Sequence, residues 1–423
     1  MSVRVSRRSA LAHLAIAPLA ACAPRAAGLR FWAMGREGEV VQSLIPAFEQ
    51  ANPGVRVEIQ QLPWSGAHAK LLTAFAGGDL PDVCQLGNSW LPEFVALNAL
   101  ETLDGRVQAS SAVRPDEDFS GIWNTNIVDG RLYGVPWYID TRLLFYRRDL
   151  LAKAGHDTPP ATWPKWLEAM EAIKDLNIGY AALLPLDEPE PLLTLALQQD
   201  DPLLADGGGR GNFQSPGFKA ALAYYAEIFR RRLAPIASNS QIGNVYDEFA
   251  RGYFAFYVTG PWNLGEFSRR LPAADQNLWM TAPMPGPRGP AAGMAGGSSL
   301  VVFKGSPRKE SAWRLIEYLT ESKVQSLFWS LTGDLPARKD AWNATSLAND
   351  VHAAAFRDQL ERVKPTPNIP EWERIATEMQ LVAEQMVRGG LTVDAAAAEI
   401  DRRADRLLAK RRWMLARGTA RAS

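Results

Sequence analysis

The hydrophobic pattern of residues 29–90 switches repeatedly between strand and helix periodicity, and that alternation constrains the fold more than any other feature. "LRFWAM" (29–34) reads as a strand, and "GEVVQSLIPAFEQAN" (38–52) sets Val40, Val41, Leu44, Ile45 and Phe48 on one helical face. After a Pro53-Gly54 turn, "VRVEIQQL" (55–62) alternates Val55, Val57 and Ile59 like a half-buried strand. Ser65 can cap a helix that ends at Gly77-Gly78, and "DVCQL" (82–86) forms a third strand. Strand, helix, strand, helix, strand predicts an α/β domain with a largely parallel sheet. Ligands of such sheets sit beyond the carboxyl ends of the strands. Residues 32–37, Trp64 and residues 88–90 all fall just there.

The same character returns downstream. "TWPKWLEAMEAIKDL" (162–176), with Thr162 as N-cap, reads as an amphipathic helix, as do "SPGFKAALAYYAEIFRRRL" (215–233) and "PRKESAWRLIEYLTESKVQSLF" (307–328). "YFAFYVTGPW" (253–262) is a strand ending in a Gly-Pro-Trp corner. Residues 282–299 are too rich in Pro and Gly for regular structure, and the chain from Glu371 onward is mostly helical. A chain of 423 residues exceeds one ordinary core and suits two domains. "GGGRG" (207–211) lacks the Gly-Lys-Ser/Thr ending of a phosphate loop and reads as a flexible surface loop. Trp163, Trp166, Trp313 and Trp413 lie on helical faces and are expected in cores.

The first residues differ from the rest. Arg4, Arg7 and Arg8 precede an apolar run from Ala10 to Ala21, too short for the roughly 20 residues of a membrane span. The run ends in "LAAC", so residues 1–21 read as a lipoprotein signal peptide cut before a lipidated Cys22, with 22–28 as a linker. An ordinary secretory leader is the alternative, and "SRRSAL" has part of a twin-arginine signal. Lys plus Arg and Asp plus Glu both number 46, and losing the leader leaves a net charge of about −3. That balance excludes a nucleic-acid partner. Cys84 then has no disulfide partner, cannot make a metal site alone, and is expected as a small core residue. No cofactor is expected.

"YGVPWYIDTRLLFYRRDLL" (133–151) gathers aromatic rings around one carboxylate, Asp140. A packed core accounts for the rings but not for the acid; a binding cleft accounts for both. Aromatic rings offer flat apolar faces, and a carboxylate offers a strong acceptor for a ligand's donors.

Five segments, in order, resemble bacterial extracellular solute-binding proteins of the carbohydrate type, the maltose-binding protein superfamily. They are "AGGDLPDVCQLGNSWLPEFVALNALETLD" (76–104), "LYGVPWYIDTRLLFYRRDLLAKAG" (132–155), "FAFYVTGPWNLGEF" (254–267), "GGSSLVVFKGSPRKESAWRLIEYLTES" (296–322) and "PNIPEWERI" (367–375). The resemblance implies a two-lobed, type II periplasmic-binding-protein α/β fold with hinge crossovers near residues 137–141, 283–285 and 304–307. Lobe 1 would comprise 29–137 plus 284–304, and lobe 2 138–283 plus 305–423. Ligand would bind between the lobes, which close by hinge bending.

The resemblance also implies ligand contacts from Arg36 or Glu37, Trp64, Asn88, Trp90, Trp137, Tyr138, Asp140, Glu188, Trp262, Gly297, Ser298, Arg338 and Trp372. Several have a structural alternative: a helix-start acid for Glu37, a helix staple for Trp64, hinge packing for Trp137 and Tyr138, a salt bridge with Arg142 for Asp140, an exposed acidic loop for Glu188. The family has Asp-Arg near the Asn88-Ser89-Trp90 turn, a departure in this chain. The implied function is the substrate-binding lipoprotein of an ABC importer. It would be a monomer anchored on the periplasmic or extracellular side of the membrane, passing a sugar or oligosaccharide to the permease. Two rivals stand beside it: a lipid-anchored glycoside hydrolase using paired carboxylates, and the same fold binding glycerol phosphate, a polyamine or a peptide. No His-Glu-x-x-His or Gly-x-Ser-x-Gly signature supports an enzyme.

Overall fold

The computed structural model describes residues 28–343 and 345–418. The expected leader, Cys22 and most of the linker lie outside the described residues. Two sheets organise the molecule. Their strands are β1 (Leu29–Met34), β2 (Val57–Leu62), β3 (Val83–Gly87), β4 (Gly134–Asp140), β5 (Leu143–Arg147), β6 (Tyr180–Leu183), β7 (Phe254–Thr259), β8 (Trp279–Ala282), β9 (Gly296–Val302) and β10 (Leu335–Pro336). The first sheet is six-stranded, in the order β10-β4-β9-β3-β1-β2, and the second is four-stranded, β8-β5-β7-β6. This is the two-lobed α/β architecture expected. The parallel character is confined in the first sheet to β1, β2 and β3. β9 returns antiparallel to both β3 and β4, because the chain re-enters that sheet from the opposite direction.

The lobes join where strands change sheets. Thr141 and Arg142 alone separate β4 from β5, so Asp140 is the last residue of one sheet's strand and sits at the hinge. Pro136 lies inside β4, where a missing N–H would break the ladder. The register with β9 slips between Ser298 and Ser299, pairing them with Tyr138 and Pro136, and this bulge accommodates the proline. Gly297 has φ of +127°, and a Cβ there would lie 2.4 Å from the Tyr138 carbonyl oxygen. Only glycine fits that close crossing of β9 over β4.

The third hinge crossing differs from the expectation. Residues 304–307 stay in the first lobe: the Lys304 N–H donates to the Ala99 carbonyl, and the Ser306 hydroxyl donates to Asp82 at 2.6 Å. Helices Lys309–Leu319 and Ser322–Thr332 bury Trp313, Leu315, Ile316, Leu319 and Phe328 in one cluster with Leu29, Phe31, Phe48, Trp137 and Leu300. The chain leaves the first sheet only after β10, because the apolar faces of these two helices cover that sheet. The second lobe packs Phe145, Leu183 and Phe256 with Trp166 and with Ile375 and Met379 of the helix Trp372–Val387.

Other local differences have local causes. The expected helix 38–52 is divided into Gly35–Val40, a tight turn at Val41–Ser43, and Ile45–Ala51, where Pro46 starts a new helix in its first turn. Pro63, not Ser65, occupies the N-cap of helix Trp64–Gly77. Thr162 caps as expected, accepting from the Lys165 N–H. Residues 207–211 form a tight hairpin end rather than a loose loop, because Asp401 and Asp405 accept from the N–H groups of Phe213 and Gly211. Trp163, Trp166 and Trp313 are buried, but Trp413 is 54% exposed. Cys84 is fully buried, and burial pushes its thiol up. A thiol reagent should therefore leave Cys84 unmodified in the folded protein and label it only after denaturation, as mass spectrometry would show.

Candidate functional site

Three elements meet at the hinge. Asp140 ends β4, Arg142 precedes β5, and Trp262 opens the helix Trp262–Arg270 that follows β7. Arg142 donates from Nη1 to Asp140 Oδ2 at 2.6 Å, and its guanidinium lies 4.5 Å from the centre of the Trp262 ring. Asp140 Oδ1 is buried with no partner. Gly260 makes the arrangement possible: a Cβ there would lie 2.0 Å from the Trp262 ring and 2.6 Å from Asp140 Oδ1. The acid and the indole singled out in the sequence thus sit side by side. The salt bridge with Arg142 is formed too, so Asp140 serves as hinge partner with one oxygen and leaves the other free.

The first lobe contributes a polar wall. Glu37, at the first turn after β1, is buried and accepts from the Tyr138 hydroxyl at 2.7 Å. Tyr138 in turn accepts from Gln85 Nε2 at 2.8 Å and from Ser298 Oγ at 3.0 Å. Trp64 and Trp90 pack edge-to-face with centroids 5.6 Å apart, and the Trp64 indole lies beside the Glu37 carboxylate. Asn88 is buried and accepts from Ser299 Oγ at 2.9 Å, leaving its amide nitrogen unpartnered.

The second lobe brings Glu188, which accepts from Asn239, and Glu190, 3.7 Å from Arg142. It also brings Glu373, which lies beside Ser89 and Trp90 of the first lobe. Desolvation by burial pushes the carboxyls of Glu37, Glu188 and Glu373 up. Asp334, just before β10, is buried, and its carboxyl lies well above the usual carboxylate range, through burial first and then the charges of Glu37 and Asp140. Raised acids hold protons more tightly folded than unfolded. Their stabilisation is full below the ordinary carboxylate range and is lost as pH rises through their raised values. Asp334→Asn should therefore flatten the fall in melting temperature as pH rises above the ordinary carboxylate range, read by scanning calorimetry.

Not every expected contact reaches this cleft. Trp137 is wholly buried, stacked on Phe328 at 4.6 Å, because it is the extra residue of the β4 bulge and turns into the first core. Tyr138 is 5% exposed and engages its hydroxyl with Glu37, Gln85 and Ser298, so it offers no stacking face. Trp372 is 1% exposed, and the residue beside it, Glu373, faces the first lobe instead. Arg338 binds Glu117, Asp340 and the Ala112 carbonyl away from the hinge acids. Arg36 lies on the surface, against Glu39 and the Leu331 carbonyl. Ser298 is buried on Tyr138, and Gly297 is spent on the strand crossing. Arg142, Glu190, Asp334 and Glu373 were not picked out as site residues. Lone charged residues carry little signal in sequence; the spacing of Arg142 two residues after Asp140 is the one visible clue.

Residues 33–326 match the family described as bacterial extracellular solute-binding proteins. The fold aligns with the solved structure of the sugar-binding protein MalE of Xanthomonas citri, 53% identical, with a TM-score of 0.87 over 92% of this chain and 99% of that one. It also aligns with an ABC transporter solute-binding protein of Thermotoga lettingae, solved with α-D-tagatose. That protein is 26% identical, with a TM-score of 0.80 over 90% of this chain and 99% of the other. The diacetylchitobiose binding protein of Streptomyces coelicolor is 24% identical, over 81% of this chain and 80% of its own.

Proposed function

Because this chain belongs to the bacterial extracellular solute-binding protein family, we propose that it is the substrate-binding protein of an ABC importer, capturing a sugar or oligosaccharide between its lobes and delivering it to a membrane permease. The observation that carries this reading is the juxtaposition of Trp262, a half-exposed ring, with Asp140 and Arg142 at the hinge. A sugar ring lies its apolar face on the indole while its hydroxyls meet Asp140 and the acids on either lobe. Trp64, Trp90, Asn88 and Glu37 supply the first-lobe side, and Glu188 the second.

The electrostatics favour a neutral ligand. Asp140 is neutralised by Arg142, while Glu37, Glu188 and Glu373 are held toward their protonated forms by burial. A phosphate would meet acids without spare cations, and a polyamine would meet acids already compensated. Ligand contacts made to both lobes favour the closed arrangement by differential affinity. Binding proceeds without chemistry on the ligand, and the sugar-binding and solute-binding relatives support that reading. The protein acts as a monomer on the outer side of the membrane, held by a lipid on Cys22. No described helix is long and apolar enough to cross a bilayer. The lobes are 28–140 with 296–336, and 141–295 with 337–418.

Calorimetry against a panel of mono- and oligosaccharides tests the function. One saturable neutral sugar with a dissociation constant near 1 μM, about −8 kcal/mol, is expected, with no product released on prolonged incubation. Turnover of an oligosaccharide, or binding only of phosphorylated or cationic solutes, would overturn it.

A further inference from the structure

The C-terminal helices carry a feature that sugar capture does not use. The last 18 residues, from Arg406 to Ser423, hold six basic side chains and no acid, in a chain whose charges otherwise balance. On the helices Val393–Leu407 and Ala409–Ala416, the inward face is Ile400, Ala404 and Leu408, all buried. Arg406, Lys410, Trp413 and Arg417 fall at spacings of four, three and four residues, which aligns them in one stripe, and all four are exposed. Asp401 and Asp405 are engaged with the N–H groups of Phe213 and Gly211 at the hairpin beneath, and Asp405 also lies 3.6 Å from Arg412. Glu399, two turns before Arg406, is taken up by Arg402 and Arg403. Among the described residues, no acid pairs with Arg406, Lys410 or Arg417, so the exposed stripe is cationic. Its one large apolar group, Trp413, has the Arg417 guanidinium 4.1 Å from its ring centre.

We propose that this stripe is a membrane-surface contact that lies on anionic lipid headgroups. Charge complementarity selects the partner: three cations along one face attract an anionic surface, each worth about a five-fold gain in partition. The exposed indole suits the headgroup boundary, where an amphipathic ring keeps one edge apolar and one wet. A cationic stripe with one aromatic is too sparse to grip a protein groove by burial. It is enough to orient a protein that is already close to a bilayer.

Co-sedimentation with lipid vesicles tests this on the mature, unacylated chain, so that no acyl group contributes. Sedimentation is expected with phosphatidylcholine–phosphatidylglycerol vesicles at low salt, to be reversed by high salt, and not with phosphatidylcholine alone. Lys410→Glu combined with Arg417→Glu should cut partition at least about 25-fold, and Trp413→Ser should weaken it further at fixed charge. Sugar binding by calorimetry should be unchanged in both variants, which certifies their folding independently of the vesicle result. Equal binding to neutral vesicles, no binding to anionic ones, or undiminished binding by the charge-reversed variant would overturn the proposal. So would crosslinking of the stripe to a permease in the absence of vesicle binding.

Discussion

Trp262→Ala is expected to weaken sugar binding about a hundredfold while leaving the melting temperature nearly unchanged. The ring is half-exposed at the start of its helix, so its removal opens little core. Burying a sugar face on an indole is worth about 2 kcal/mol of area, with about 1 kcal/mol more from the stacked geometry, and together these correspond to about two decades in affinity. The variant also uncovers Arg142, whose charge the ring now covers at 4.5 Å. Calorimetric titration reads the effect, and affinity within threefold of wild type would remove Trp262 from the binding site. Gly260→Ala provides an independent approach to the same ring. Its new methyl would collide with the indole 2.0 Å away, so affinity should fall although no ligand contact is deleted.

Asp140→Ala should abolish measurable binding and also destabilise the fold, by about 3–5 kcal/mol. The sequence alone suggests a simpler outcome, lost binding with the fold intact. The structure changes that expectation because Arg142 is buried and takes its closest ion pair, at 2.6 Å, from Asp140. Removing the acid leaves a guanidinium in the hinge with Glu190, at 3.7 Å, and the more distant Glu188 to offset it. Asp140→Asn separates the two roles: the amide keeps the shape and an acceptor for Arg142 but loses the charge-assisted bond to sugar hydroxyls. Its melting temperature should recover most of the loss while affinity stays low. Full affinity in the Asn variant would assign Asp140 to the hinge alone.

Several corrections share one origin. Trp137 and Trp262 look alike in sequence, each an aromatic that directly follows a proline beside an apolar strand. One is the extra residue of a bulge and turns into the core, while the other starts a helix and faces the hinge. Trp372 and Glu373 are neighbours at a helix start, and the helical turn sends the indole inward and the carboxylate to the first lobe. The third crossover lies later than the resemblance implies for a related reason. The apolar face of residues 309–332 is legible, but which sheet it covers is decided by which sheet is left uncovered.

The periodicity of residues 29–90 was enough to predict the α/β class, since local spacing survives without coordinates, and the resemblance of five segments in order implied the two lobes and the family. Asp140 and Trp262 could be named in advance because strand ends and Gly-Pro-Trp corners constrain where a side chain emerges. Only the tertiary structure could decide that Arg142 closes on both of them, that Asp334 and Glu373 join the acids there, and that Trp137 and Trp372 do not. Those outcomes depend on distances between residues far apart in the chain, fixed when two sheets pack around a two-residue hinge, and no local pattern records them.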